Sequence, residues 1–163
     1  MGKSETVVMV TDDQIRDFVK KPSRLQDFVR EAIALIRDPR CCHLFDWWAI
    51  IHYAITDGVP NAPLPLGAIR RGDVQYSKEP AHALYTATVK ALAEKLKEIT
   101  DSSVKKTLDA RDMKTMVYPG RYWVSPQLAA GGEFLGELHG FREFANRAAS
   151  QNMGLLFVRY EDC

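Results

Sequence analysis

The chain of 163 residues has little cysteine, no surplus of either charge and no long apolar run. Its three cysteines are Cys41, Cys42 and Cys163, an odd number with two adjacent. That pattern does not make a disulfide framework, and it fits a reducing compartment. With no Cys-x-x-Cys pair, a zinc knuckle and a thioredoxin-like motif are both excluded. The 22 Lys+Arg and 21 Asp+Glu leave a net charge of +1. A nucleic-acid binder usually shows a basic excess or a basic face. Here the pairs Lys20–Lys21, Arg70–Arg71 and Lys105–Lys106 are scattered among acids, so no nucleic-acid partner is expected. No stretch approaches the ~20 apolar residues that span a bilayer. The opening "MGKSETVVMV" is too short in its apolar part for a signal peptide, and Glu5 interrupts it. A cytoplasmic protein with no membrane partner is expected. Also missing are a Gly-x-Ser-x-Gly elbow, a supported Ser-x-x-Lys and a phosphate-binding loop, and no cofactor is expected.

The length suits one domain, 1–163, with a substantial core. "TVVMV" (Thr6–Val10) reads as a strand. Thr11 is placed to cap a short helix, with Asp12 and Asp13 in its first turn and Pro22 as its stop. Ser23 is placed to cap the next helix, whose apolar stripe is Leu25, Phe28, Val29, Ala32, Ile33 and Ile36. The nearly all-apolar run from Phe45 to Thr56 predicts a buried central helix, closed by Asp57–Gly58. A proline-rich connector, Val59–Asp73, follows, and "VQYS" reads as a short strand. Glu79–Ile99 is predicted as a long helix with Pro80 in its first turn, and a short helix near Ser103–Met113 comes next. "VYPGRYW" (Val117–Trp123) is a turn with aromatic flanks. A last helix opens at Ser125–Pro126 and carries Phe134, Leu138, Phe141, Ala145 and Ala148 on one stripe. "LLFVRY" (Leu155–Tyr160) closes the chain as a strand. The expected fold class is α+β: a mostly helical single domain around a small sheet of N-terminal, central and C-terminal short strands.

The stretch "FDWWAIIHYAITDG" also carries a resemblance. Trp48, Ile51, His52, Tyr53, Ile55, Thr56 and Gly58 follow the order of the Trp-Asp-x-Leu-His-Phe-x-Leu-Thr-Gly motif, with Asp57 inserted before the glycine. Pro65–Leu66 or Pro63–Leu64 matches a Pro-Leu loop, and Tyr118, Pro119 and Trp123 match a Tyr-Pro turn with a nearby tryptophan. In these features the chain resembles the YfbM-like family of small bacterial proteins of unknown function. The resemblance implies a fold and brings no activity. Ala49 stands where the family motif has an aspartate, which points to a structural role for Trp48, His52, Thr56 and Tyr118.

His52 is the one candidate general base, and that role needs an orienting acid. Asp57 and Asp46 lie off its helical face. The bland reading is a core histidine bonded to a backbone carbonyl. His43, His82 and His139 fall on separate segments, and no metal site is expected. Glu133 and Glu137 share a helix face, and a solvated pair near Arg142 is the reading preferred over a metal or acid/base pair. Gly132, Gly136 and Gly140 recur every four residues and predict close packing of that stripe against another helix.

With no catalytic constellation, the expected function is protein binding, specifically an immunity protein that neutralises a cognate protein toxin. The candidate contact residues are Asn61, Arg70, Arg71 and Asp73 in the connector, and Trp47, Tyr122 and Trp123 among the aromatics. The alternatives are a small enzyme using His52 in a pocket and a small-molecule-binding regulatory protein.

Overall fold

Thr11 caps the first helix as its position predicts. Its hydroxyl accepts from the Gln14 backbone N–H at 3.0 Å, and the Gln14 side chain accepts from the Thr11 N–H at 2.9 Å. This closed capping box ends strand β1 (Lys3–Val10) and starts α1 (Asp12–Lys20). The computed structural model describes residues 3–34, 37–108 and 132–161. Within them follow α2 (Pro22–Ala34), β2 (Cys41–Phe45), α3 (Trp48–Ile55) and a 3-10 helix (Leu66–Ile69). After these come β3 (Val74–Gln75), β4 (Ala81–Leu84), α4 (Thr86–Glu98), α5 (Asp101–Leu108), α6 (Gly132–Ser150) and β5 (Gly154–Glu161). No described helix is long and apolar enough to cross a membrane.

The five strands form one antiparallel sheet in the order β2-β1-β5-β4-β3. The two terminal strands pair along their whole length at its centre, from Lys3 opposite Glu161 to Val10 opposite Gly154. A central strand covered on both faces reads as a continuous apolar run. Val7, Met9, Leu155 and Phe157 join the core under α3, α4 and α6. Val10, Leu156 and Val158 join a second cluster under α1 and α2. The fold is α+β, as the sequence predicts.

Four expectations need correction. Ser23 does not cap α2, because the helix already begins at Pro22, where the missing N–H costs nothing. The predicted helix from Phe45 to Thr56 is shorter. Its first part belongs to β2, and Phe45 breaks the chain with a left-handed backbone (φ 47°) before α3 begins at Trp48. Likewise the predicted helix Glu79–Ile99 begins as a strand. Ala81–Leu84 are all buried against β5, with His82 and Leu84 beside Phe157 and Leu155, and Ala81 and Ala83 on the face under α1 and α2. Burial in the sheet outweighs the helix preference of two alanines.

The glycine stripe is the fourth. Gly132, Gly136 and Gly140 are exposed, and a Cβ at any of them would meet nothing within 4 Å. The packed stripe of α6 is the apolar one: Phe134, Leu138, Phe141, Ala145 and Ala148 are fully buried. Arg142 turns to the carbonyl of Ile99 at 2.9 Å rather than to a glutamate. The predicted start at Ser125–Pro126, residues 109–113 of the predicted short helix and the aromatic turn lie outside the described residues.

Candidate partner-binding surface

The connector Val59–Asp73 crosses the open end of α3 and is pinned from beneath by three side chains. From α3, His52 faces the carbonyl of Pro60 (3.3 Å). On β4, His82 bonds the carbonyl of Ala68. From β5, the Arg159 Nη2 lies 3.4 Å from the carbonyl of Ile69. A carbonyl only accepts, so in both histidines Nε2 carries the proton. Burial holds both imidazoles down to about 4, with the nearby Arg159 charge acting in the same direction and the carbonyl bonds against it. They are therefore neutral clamps at neutral pH. His82 also stacks on Phe157, with ring centroids 4.8 Å apart.

Backbone packing completes the clamp. A Cβ on Gly67 would lie 2.0 Å from the carbonyl oxygen of Ala62, and one on Gly72 2.4 Å from that of Ala83. Ala62, Ala68 and Ile69 are buried. The sequence suggests an irregular surface loop; the structure buries four of its fifteen residues, Ala62, Gly67, Ala68 and Ile69. Its exposed residues are thus held on a fixed frame.

Beneath the loop sits a buried carboxyl–guanidinium contact that sequence reasoning did not single out. Glu5 and Arg159 face each other across β1 and β5, with Glu5 Oε2 2.9 Å from Arg159 Nη2. Glu5 is 1% exposed. Burial raises its carboxyl to about 8, against the pull of Arg159. The Arg159 guanidinium lies over the Trp48 ring, 4.0 Å from its centroid. Trp48 donates its indole N–H to the carbonyl of Lys3 (2.7 Å), which fixes the ring. Glu5 Oε1 and Arg159 Nε are both buried without a hydrogen-bond partner. The signal was there: Glu5 in β1 and Arg159 in β5 are opposite charges that interrupt the two terminal strands.

The expected contact residues divide. Asn61, Arg70, Arg71 and Asp73 are all exposed on this loop. Neither Arg70 nor Arg71 has an ion pair or a side-chain hydrogen bond among the described residues. Asp73 is engaged, accepting from the Tyr85 N–H at 2.9 Å. Trp47 lies apart from the loop, half-buried and tilted 5.9 Å from Phe134. Tyr118, Tyr122 and Trp123 lie outside the described residues. The structural motif is otherwise in place: Trp48 and His52 act as above, and the Thr56 hydroxyl donates to the His52 carbonyl at 2.6 Å.

As a catalytic base His52 is poorly placed. It is 5% exposed, its Nδ1 is buried without a partner, and no carboxylate bonds its ring among the described residues. Asp57 instead accepts from the Thr107 hydroxyl at 2.8 Å. Among the described residues no three His, Cys, Asp or Glu gather as for a metal ion.

Residues 1–158 match the family model described as "Domain of unknown function (DUF1877)". Among solved structures, the chain is similar to YfbM from Escherichia coli, a protein of unknown function. The TM-score is 0.70 at 14% identity, over 96% of this chain and 99% of that chain. At that identity the likeness is one of fold. No curated protein matches the chain.

Proposed function

The chain belongs to the DUF1877 family and is YfbM-like, and we propose that it works as a protein-binding module whose contact surface is the clamped loop Val59–Asp73. One observation carries this reading: two adjacent arginines, exposed and without an ion pair among the described residues, stand on a loop whose backbone is locked. A loop ordered before binding saves the entropy that a mobile loop would lose. Arginine is the side chain best suited to bidentate capture of a carboxylate. The specific form of the proposal is an immunity protein, with a cognate toxin as the partner. The burial of His52 and its carbonyl partner support binding over the enzymatic alternative. The test is growth rescue. The chain is co-expressed with toxic products of genes neighbouring its own, beside the double variant Arg70→Ala, Arg71→Ala. Rescue by the native chain alone is expected. Equal rescue by both would remove the loop from the interface, and no rescue by either would remove the toxin.

A further inference from the structure

A cavity of about 160 Å³ lies between α2 and the β1–β2 edge of the sheet, walled by Val8, Phe28, Ala32, Cys41 and Met153. Val8 and Cys41 are cross-strand partners, and Phe28 and Ala32 stand one turn apart on α2. The short side chains of Ala32 on the helix and Cys41 on the strand leave the space between them open. Glu31 and Arg40 also line it and are exposed, so they mark its mouth. Arg40 is spent on Asp38 as a side-on bidentate pair, with Nε 3.0 Å from Oδ1 and Nη2 2.7 Å from Oδ2. Gln14 is engaged in the capping box through its Oε1. Burial raises the Cys41 thiol, which therefore stays neutral. Of the lining residues, Glu31 alone carries a charge with no partner among the described residues.

We infer that this cavity is a binding site for a small organic amine, whose apolar body seats against Val8, Phe28 and Ala32 while its ammonium group meets the Glu31 carboxylate at the mouth. An apolar cavity of comparable volume takes a molecule the size of benzene, so the body is a single ring or a short branched chain. Phe28 offers such a ring an edge or a face to pack on. Small-molecule sites combine apolar walls with a few polar groups that fix orientation, and here that group is Glu31. An anionic head would be repelled by Glu31 and would find Arg40 already paired; a neutral head would gain no charge contact at the mouth. No residue of the loop Val59–Asp73 lines the cavity, so the site is separate from the protein-binding surface.

The test follows the methyl signals of Val8, Ala32 and Met153 by NMR while the chain is titrated with benzylamine, benzyl alcohol and benzoate, three probes with one ring and different heads. The expected result is a saturable shift of these methyls, tightest with benzylamine, weaker with benzyl alcohol and weakest with benzoate. Glu31→Gln should weaken benzylamine about fivefold, the upper end for an exposed ion pair, and leave benzyl alcohol unchanged. Ala32→Leu fills the cavity from the helix and Cys41→Leu fills it from the strand, and each should remove binding of the amine. Where a filled variant does not fold, the three probes on the native chain and on Glu31→Gln still decide. Absence of a saturable shift with benzylamine would overturn the site. So would benzyl alcohol or benzoate binding as tightly as the amine, unchanged amine affinity in Glu31→Gln, or amine binding retained in a folded, filled variant.

Discussion

Glu5, His52 and His82 are the buried titratable residues that set how stability responds to pH. Between its ordinary value of 4.5 and about 8, Glu5 holds a proton in the folded chain that the unfolded chain has lost, so stability falls as pH rises through that window. The histidines act the other way. Between 6.5 and about 4 the unfolded chain binds protons at both positions and the folded chain does not, so stability falls as pH drops. The three together place their optimum near 6.5. Glu5→Gln removes the alkaline limb. Thermal unfolding at pH 6.5 and pH 9 should show the native chain losing more melting temperature than the variant; an equal loss would show that Glu5 ionises freely. His52→Ala should cost about 1–3 kcal/mol, the usual penalty for a broken buried hydrogen bond. Denaturant titration measures this, and full stability with lost function would make His52 a functional residue after all.

At the scale of elements, what was legible depended on whether a segment's own pattern decided its structure. The cap at Thr11, the apolar stripe of α6 and the strand character of both terminal segments follow from local chemistry, and all three stand in the structure. Strands β2 and β4 were not legible, because "CCHLF" and "AHAL" carry no period and become strands only by docking on β1 and β5. The site divides the same way. Exposed Arg70 and Arg71 could be read from the run of prolines and charges. The clamp could not, since His52, His82 and Arg159 meet the loop through carbonyls that any sequence supplies. Glycines make the contrast testable. Gly136→Ala, on open helix surface, should raise stability by about 0.5–1 kcal/mol. Gly67→Ala should destabilise by more than that, because the new methyl would collide with the Ala62 carbonyl. Chemical unfolding of both variants checks the pair; a stabilising Gly67→Ala would mean that the loop yields.

Across the whole molecule, what holds the fold is separate from what the fold presents. Two core clusters flank the sheet, and the loop is fastened to one of them from inside, so the fold does not rest on the exposed Arg70 and Arg71. Surface substitutions away from packed features usually change stability by no more than about 0.5 kcal/mol. The double variant Arg70→Ala, Arg71→Ala tests this division most directly. It is titrated calorimetrically against the partner protein identified by growth rescue, and its thermal unfolding is recorded beside that of the native chain. An unchanged melting temperature and at least about tenfold weaker binding are expected, since truncating one side of a desolvated charge pair costs about 2–5 kcal/mol. Unchanged affinity, or a large fall in melting temperature, would contradict it.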